Sequence, residues 1–389
     1  MTDTLAGADW LNRSEIQAIL AALDGQSHRT RVVGGVVRDT VVGRVHAGDI
    51  DMATELLPQE VVERAGAAGI ATYPTGLDHG TVTLKLGEAV VEVTTLRRDV
   101  ETDGRRAVVA FGTDWAEDAR RRDFTLNALY CAADGTLYDP LGGAEDARNG
   151  IVRFIGDAAT RIAEDGLRVY RFFRFSASHG EERLDPDGLT ACAAAVTRLD
   201  HLSRERVGGE ILRMLALPKM AMTFAVMSEI GLVPLSDAAL RALVAYEGFG
   251  GHSAAARLAL VADEEIDSRQ AQWRLSNEMV NAARAIARAA HLLAEDRIGE
   301  AAYRHGEAAV EGLAVAAAGG QWSAARLAEC ARMLGRTSVP PFPISGSDLA
   351  GLCLAPGPAM GQELARLERL WIDSGFALGK AELLGQLRL

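Results

Sequence analysis

The stretch RVVGGVVRDTVVGRVHAGDIDMAT (31–54) determines the local fold of this chain and indicates its chemistry. The β-branched Val32 and Val33 predict a short strand at 31–33, and the glycine pair Gly34–Gly35 predicts a turn into a helix. GDIDMAT (48–54) predicts a second strand. A strand, a glycine turn, a helix and another strand together indicate an α/β unit in this part of the chain.

Asp49 and Asp51 flank Ile50 on the second predicted strand. Side chains at positions i and i+2 of a strand point to the same face, so the two carboxylates project together. Like charges held this close need a counter-cation, and two carboxylates combined with substrate phosphates suit Mg²⁺. The same spacing also occurs in pairs of solvated surface acids, so the pair by itself leaves both interpretations open.

The glycine pair upstream favours the functional interpretation. Gly34 and Gly35 let backbone N–H groups approach a phosphate closely, and the N-terminus of the following helix favours an anion. Arg38 lies in the first turns of that helix and adds a charged donor. An ordinary strand-to-helix turn has the same residues, but both motifs in this order are a stronger indication of phosphate binding.

A third acid comes from Glu92, in a further predicted strand, AVVEVTTLR (89–97). Because residues alternate between the faces of a strand, Val91 and Val93 should face the core while Glu92 faces the other side. Glu92 is therefore a candidate third catalytic carboxylate. A solvated acid on an edge strand explains it equally well.

The predicted secondary structure changes along the rest of the chain. Residues 14–24 predict an amphipathic helix with Ser14 as its N-cap. Residues 97–122 combine many arginines with Asp, Gly and Thr, which predicts a mobile, partly basic loop. Beyond about residue 150, strand patterns fade and helical patterns rich in Ala, Leu, Arg and Glu dominate. An α/β head is therefore followed by an all-helical remainder.

Composition narrows the possible functions. The 389 residues include 41 basic and 53 acidic ones, a net charge of −12, which argues against a protein that coats nucleic acid through bulk positive charge. Any RNA or phosphate binding must use a local basic strip. The four cysteines show no CxxC spacing, which argues against a zinc site and fits a reducing cytoplasm. We see no signal peptide and no apolar run that would span a membrane.

Five motifs occur in a fixed order along the chain: GGVVRD (34–39), DID (49–51), RRDFTLNAL (121–129), DPLGG (139–143) and EDGLRVYRFFRF (164–175). In this order they resemble the class II CCA-adding tRNA nucleotidyltransferase and bacterial poly(A) polymerase family, within the polymerase-β-like nucleotidyltransferases. The resemblance is strong over about residues 25–215.

The resemblance implies an α+β fold, in which a polymerase-β-like nucleotidyltransferase head with a small mixed sheet is followed by an all-helical neck, body and tail. The head is expected at 1–148, a neck that recognises the nucleotide base at 149–215, and a body and tail that bind tRNA at 216–389. It also implies that 97–122 is a flexible loop near the active site.

The resemblance further implies roles for single residues. Asp49 and Asp51 are expected to bind two Mg²⁺ ions, and Gly35 and Arg38 to contact the nucleotide. Arg122 and Asp123 of the RRD motif are expected to contact its sugar and triphosphate. The partners are then CTP, ATP and the acceptor end of tRNA.

Base selection can be argued from EDGLR, where Asp165 and Arg168 are three residues apart and should share one helix face. Cytosine and adenine both present an amino donor beside a ring-nitrogen acceptor, so Asp accepts from the first and Arg donates to the second. Guanine and uracil present the reversed pattern and are rejected. Arg171 and Arg174 extend the stripe and either reach the triphosphate or hold the template side chains. An ordinary i,i+3 surface ion pair is the alternative for EDxxR.

The function expected from these motifs is template-independent addition of CMP and AMP to the 3′ end of tRNA. A poly(A) polymerase, a CC-only or A-only tRNA nucleotidyltransferase, and a catalytically inactive RNA-binding protein are the alternatives. The proposed base selection, which accepts both CTP and ATP, favours CCA addition.

Three aromatic residues of the last motif, Phe172, Phe173 and Phe175, are expected to belong to the core rather than to stack on bases.

Overall fold

The structure, a computed structural model, describes residues 4–46, 48–77, 80–103, 106–262, 265–350, 352 and 356–387. The chain forms two compact units. The first comprises Met1–Met214 and Val226–Pro234, and the second comprises Leu215–Ala225 and Leu235–Leu389.

A mixed seven-stranded sheet organises the first unit. Its strands are β1 (Thr30–Val33), β2 (Ile50–Thr54), β3 (Ala71–Gly76), β4 (Thr81–Leu86), β5 (Ala89–Thr95), β8 (Tyr130–Cys131) and β9 (Leu137–Tyr138), and a separate two-stranded sheet contains β6 (Arg97–Asp103) and β7 (Arg106–Phe111). The order across the large sheet is β3-β4-β5-β2-β1-β8-β9. The β2–β5 pair is parallel and the other pairs are antiparallel. The expected mixed sheet is therefore confirmed.

Helices surround the sheet and then make up the rest of the chain. Up to residue 215 they are α1 (Ser14–Ala22), α2 (Gly35–Val41), α3 (Pro58–Ala67), α4 (Trp115–Arg120), α5 (Gly143–Asn149), α6 (Ala158–Glu164), α7 (Leu167–His179), α8 (Pro186–Ala195) and α9 (Arg204–Leu215). Beyond it they are α10 (Ala221–Glu229), α11 (Asp237–Gly248), α12 (Ala254–Ala262), α13 (Ile266–Trp273), α14 (Asn277–Ala294), α15 (Ile298–His305), α16 (Ala308–Gly319), α17 (Ala324–Arg336), α18 (Gly346–Ala350), α19 (Pro358–Asp373) and α20 (Lys380–Leu384). The predicted all-helical remainder is confirmed.

The two faces of the large sheet carry different residues because neighbouring residues of a strand alternate. Val32 and Met52 belong to the larger apolar core, against which α1 and α3 pack. Val33 and Ala53 face the other side and pack with Trp115 in a smaller cluster. Asp51 shares this second face, because it lies opposite Val33 in the register of β1 and β2.

The N-cap predicted for α1 is wrong by one residue. Arg13 is the N-cap, and its side chain makes no capping hydrogen bond. Ser14 is the first helical residue, and its hydroxyl donates to the carboxylate of Glu15 at 3.2 Å instead of accepting a backbone N–H of the first turn. A good capping residue type therefore does not by itself fix the boundary of a helix.

Residues 97–122 differ most from the sequence-based expectation of a loop. Strands β6 and β7 pair as an antiparallel hairpin, and α4 follows. The side chain of Asp114 starts α4 by accepting the backbone N–H groups of Ala116 and Glu117 at 2.8 and 3.1 Å. The prediction weighed the arginines and missed RAVVAF, whose β-branched and apolar residues are typical of a strand. Arg105 lies outside the described residues.

The aromatic residues of α7 belong to the core, as predicted. Phe172 and Phe173 are fully buried and Phe175 nearly so. Phe172 stacks on Phe154 with ring centroids 5.4 Å apart, which joins α7 to the segment that follows α5.

None of the helices within the described ranges carries an apolar stretch of the length that a bilayer crossing needs.

Candidate active site

Three carboxylates lie on, or directly before, the central strands β2 and β5 of the large sheet. Asp51 of β2 lies directly beside Glu92 of the parallel strand β5, and both side chains are exposed while their strand neighbours are buried. Asp49 immediately precedes β2 and is also exposed. The predicted alternation around Glu92 is confirmed, and the structure places this residue next to the predicted metal ligands.

The charges of these acids act on one another. The pKa of Asp51 is raised from 3.8 to about 6, first because protein groups displace water around its carboxyl and then because Glu92 and Asp49 add negative charge. Arg122 and His46 act in the opposite direction. The carboxylates therefore carry more negative charge than the protein around them neutralises, which a bound cation would correct.

The donor set fits a divalent cation that is shared with a nucleotide. In the described part of the chain, no three His, Cys, Asp or Glu side chains converge as a ready-made metal site. Mg²⁺ characteristically uses one or two carboxylates together with substrate phosphates and water. Asp49 and Asp51 supply oxygen ligands of this kind, and the remaining positions would be filled by a triphosphate.

Each glycine of the turn before α2 has its own structural reason. Gly34 adopts φ +80, a backbone conformation that side chains disfavour, and its N–H donates to the carbonyl of Leu129 at 3.0 Å. At Gly35, a Cβ would lie 3.1 Å from Cε1 of His46. The turn thus needs Gly34 for its bend and Gly35 for the close approach of a histidine ring. Phosphate binding by this turn stays a prediction.

Arg38 is buried and its hydrogen bonds stay within the protein. Its guanidinium donates to Asp39 at 2.9 Å and to the side-chain oxygen of Asn127 at 2.7 Å. It also lies over the ring of Phe175, 5.3 Å from the centroid. Burial lowers the pKa of Arg38, and Asp39 opposes this effect. Arg38 therefore braces α2 against Asn127 and α7, and its predicted contact with the nucleotide remains untested.

Arg122 is held on the same face as Asp51 by a partner that the sequence analysis missed. Its Nη2 lies 3.1 Å from Oδ2 of Asp118, and its Nε lies 3.1 Å from the hydroxyl of Tyr130. Asp118 also accepts from Nε of Arg121 at 2.7 Å. Burial favours the neutral acid, but Arg122 and Arg121 hold the pKa of Asp118 below its usual value. The i,i+4 spacing of Asp118 and Arg122 on DARRRD was the available signal.

Asp123 is buried and links the RRD motif to α7. Its carboxylate accepts from Nε of Arg171 at 2.8 Å and from the side-chain amide of Asn127 at 3.1 Å. The backbone N–H of Phe124 donates to it as well, at 2.8 Å. Against the effect of burial, these partners lower the pKa of Asp123. Asp123 and Arg171 thus hold the two motifs together, whereas their predicted nucleotide contacts stay predictions.

The prediction that Asp165 and Arg168 share one helix is wrong. Asp165 ends α6 in an extended conformation, with φ −147 and ψ 103, and α7 begins only at Leu167. The helix breaks here because the Asp165 side chain accepts the N–H of Leu167 at 3.1 Å, and Gly166 lowers the helix propensity. Asp165 therefore sits at a junction between two helices, with Arg168 in the first turn of the second.

Asp165 and Arg168 also have different ionic partners. Arg206 of α9 lies 2.8 Å from the carboxylate of Asp165, and Arg168 pairs with Glu164 at 2.6 Å. Arg168 donates to the carbonyl of Arg161 as well. The i,i+3 ion pair considered as an alternative is therefore not the pairing that the structure shows. Each of the two proposed base-reading groups is held by a separate neighbour.

Arg174 completes the stripe on α7. Its Nε lies 2.5 Å from Oε2 of Glu210 on α9, and its guanidinium stacks 4.1 Å from the ring centroid of Phe175. Burial lowers its pKa, and Glu210 opposes the effect. These contacts join α7 to α9 and agree with the alternative in which this arginine holds its neighbours in place.

The comparisons with known proteins agree with this geometry. Residues 30–153 match the Poly A polymerase head domain family. The chain is 32% identical over 385 residues to CCA tRNA nucleotidyltransferase 1, mitochondrial, of Mus musculus, covering 93% of this chain and 87% of the mouse protein. It is 37% identical over 216 residues to the CCA-adding enzyme of Geobacillus thermodenitrificans, covering 55% of this chain and 52% of that enzyme.

Among solved structures, the Bacillus stearothermophilus CCA-adding enzyme in complex with CTP has a TM-score of 0.77 to this chain. The two are 28% identical, and the match covers 93% of this chain and 94% of that one. Because the mouse relative matches along nearly the whole chain and the head domain and fold agree, this protein belongs to the class II CCA-adding enzyme family of tRNA nucleotidyltransferases, built on a poly(A) polymerase head domain.

Proposed function

We propose that this tRNA nucleotidyltransferase adds CMP twice and then AMP to the 3′ end of tRNA, from CTP and ATP, at the face that carries Asp49, Asp51 and Glu92. The observation that carries this proposal is the side-by-side register of Asp51 and Glu92, with the raised pKa of Asp51 and Arg122 within electrostatic range. The mouse and Geobacillus relatives are named for this activity. The related solved structure is a complex with CTP.

The reaction joins a 3′-hydroxyl to the α-phosphate of the nucleotide, and pyrophosphate leaves. Bound Mg²⁺ would supply charge neutralisation for the phosphates and would lower the pKa of the attacking hydroxyl. Asp49 and Asp51 hold the cation, and Glu92 adds negative charge that strengthens its binding. Arg122, fixed by Asp118, offsets the charge of the triphosphate. Two ions at Asp49 and Asp51, and Glu92 as a third catalytic carboxylate, are parts of the proposal.

Base selection is assigned to Asp165 and Arg168 at the junction of α6 and α7. Asp165 accepts from the amino group of cytosine or adenine, and Arg168 donates to the adjacent ring nitrogen. Their present partners, Arg206 and Glu164, exchange places with the incoming base. A reversed donor pattern leaves both groups unpaired, which rejects GTP and UTP.

The remaining assignments follow the family resemblance. We assign residues 1–148 to the catalytic head, 149–215 to the neck and 216–389 to the body and tail that bind the tRNA. We assign to the nucleotide site the turn residues Gly34 and Gly35 and the helix residue Arg38. Arg171 and Arg174 belong to the same site, where they position the nucleotide. A cytoplasmic location is proposed for this chain. The mouse relative is named as mitochondrial.

The test supplies the purified protein with Mg²⁺, a tRNA that lacks its CCA end, and each nucleoside triphosphate in turn. CTP alone should extend the tRNA by two residues, and ATP should then add a single residue. Long A-tails on unrelated RNA would instead identify a poly(A) polymerase. Arrest after CC, or addition of A only to a tRNA that already ends in CC, would identify a partial enzyme.

A further inference from the structure

A histidine outside the recognised motifs bridges the helix after the glycine turn and the loop that precedes β2. Nδ1 of His46 lies 2.6 Å from Oδ2 of Asp39 on α2. Its Nε2 lies 3.1 Å from the backbone carbonyl oxygen of Asp49. Both partners are acceptors, so the ring donates to both at once only when both of its nitrogens carry a proton, and in that form it connects a side chain of α2 to the backbone of a predicted metal ligand.

The surroundings of His46 are shaped to hold its ring. A Cβ at Gly35 would lie 3.1 Å from Cε1 of the ring, and a Cβ at Gly48 would lie 2.9 Å from Nε2. A side chain at Gly35 or Gly48 would therefore press on the ring or displace it. The His46 side chain is 16% exposed, although the neighbouring Val45 is almost fully exposed. The ring is thus packed between two glycines of the motif region.

Asp39, the anchor of this histidine, is fixed from two further directions. Nε of Arg38 donates to its Oδ1 at 2.9 Å, and Nε2 of His179 at the end of α7 lies 3.1 Å from the same oxygen. Burial acts against ionisation, but His179 and Arg38 hold the pKa of Asp39 well below its usual range. The carboxylate is therefore a fixed, charged acceptor that joins α2 to α7.

The sheet does not hold the backbone of Asp49 in place. Strand β2 begins at Ile50, and the paired register of β2 with β1 and β5 includes Asp51 but starts after Asp49. Ladder hydrogen bonds hold Asp51 in place, whereas the backbone of Asp49 is held through the carbonyl that faces His46. This contact therefore restrains the backbone that carries the Asp49 carboxylate.

We propose that His46 is a positioning residue for the divalent cation: through Asp39 it fixes the backbone of Asp49, so that the Asp49 and Asp51 carboxylates keep the separation that the ion requires. The inference rests on the proposed function of Asp49 and Asp51. Groups that orient metal ligands in this way typically change metal affinity or activity by about 10–100-fold when they are removed.

The test compares His46→Ala and His46→Gln with the wild-type protein. Glutamine reaches the Asp49 carbonyl with one amide N–H but does not donate to Asp39 at the same time. His28→Asn is the matched control, because His28 is exposed and its left-handed backbone, φ 61, tolerates asparagine. Thermal melting identifies any variant whose fold is affected.

The first readout is direct binding of Mn²⁺, followed by electron paramagnetic resonance with a non-hydrolysable CTP analogue present. We expect His46→Ala to weaken Mn²⁺ binding by about 10–100-fold, His46→Gln to recover part of the loss, and His28→Asn to match the wild type. The second readout is CMP addition, in which raised Mn²⁺ should restore kcat for His46→Ala while KM for tRNA stays unchanged.

Unchanged Mn²⁺ affinity in both His46 variants would overturn the inference, and so would a loss of CMP addition that raised Mn²⁺ does not restore. These results differ from a failure of the proposed function, in which the wild-type protein itself would not extend the tRNA. If His46→Ala melts at a lower temperature, the Mn²⁺ affinity of His46→Gln is compared with that of the wild type instead. A weaker affinity supports the inference, and an unchanged affinity contradicts it.

Discussion

The carboxylate of Asp165 lies 2.8 Å from the guanidinium of Arg206, at the point where α6 ends and α7 begins. Arg206 therefore occupies the acceptor that base selection requires. Both side chains keep substantial solvent contact, so the pair contributes little to stability, at most about 1 kcal/mol. If Asp165 reads the base as proposed, an arginine that contributes so little to the fold but occupies this carboxylate would compete with the incoming nucleotide.

Replacing Arg206 by alanine should lower KM for both CTP and ATP, because the Asp165 carboxylate no longer has to exchange an ionic partner. A pair worth at most about 1 kcal/mol limits the effect to about fivefold. The melting temperature should change little. Steady-state addition to tRNA measures KM, and an increase of KM for both nucleotides would show that Arg206 assists binding instead.

Arg168→Ala should loosen base choice more than it weakens RNA binding. In the proposed base selection the guanidinium donates to a ring nitrogen, and a hydrogen bond to a charged group is worth about 1.5–3 kcal/mol, or roughly 10–100-fold in discrimination. We expect the ratio of kcat/KM for CTP over UTP to fall by this factor while tRNA affinity stays within about twofold of the wild type. Single-nucleotide incorporation with each triphosphate checks it, and unchanged selectivity refutes the template role.

Asp118 should contribute more to stability than any other single acid of the site, because it is 1% exposed and accepts from Arg121, Arg122 and Tyr130. Removing one partner of a buried charged group costs about 3–5 kcal/mol. Asp118→Ala should reach the lower end of this range, because both arginines keep some solvent contact.

Tyr130→Phe is the matched comparison for Asp118→Ala, since it removes only the hydroxyl, which donates to Asp118 and accepts from Arg122, two hydrogen bonds worth about 1 kcal/mol each. Urea unfolding measures both free energies. A cost for Asp118→Ala no larger than that of Tyr130→Phe would mean that the two arginines are held by other contacts.

The raised pKa of Asp51, about 6 against an ordinary 3.8, predicts a pH dependence of stability without metal. The folded chain binds this proton more tightly than the unfolded chain, so stability is lost as the pH rises from about 4 to about 6. Asp51→Asn removes the ionisation. We expect the variant to melt above the wild type near pH 7.5 and at the same temperature near pH 4. Calorimetry without metal checks this, and a lower melting temperature of the variant near pH 7.5 contradicts it.

Much of the fold could be predicted because its signals are local. The β-branched pair Val32–Val33, the glycine pair and the alternation around Glu92 each depend on neighbours in the sequence. The missed strand β3 contains Pro74 and Gly76, which are unfavourable in strands. The break at Gly166 was missed because the i,i+3 spacing of Asp165 and Arg168 fits a helix as well as a junction.

The partners of the site residues could be predicted only in part. His179 contacts Asp39 from 140 residues away, and Arg206 contacts Asp165 from 41 residues away. Such contacts arise from the packing of α7 and α9, which no local pattern encodes. His46 was missed for another reason: its role depends on a backbone carbonyl, which leaves no trace in residue type.

The most direct test of the central claim is single-turnover addition of CMP to a tRNA that lacks its CCA end, with Asp49→Ala. Because the proposed function places the cation for every step on this carboxylate, we expect addition of both CMP and AMP to be abolished, while the melting temperature remains close to that of the wild type. Glu63→Ala, an exposed acid on α3, is the matched control and should retain full activity. Wild-type rates in Asp49→Ala would remove Asp49 from the metal site and contradict the account.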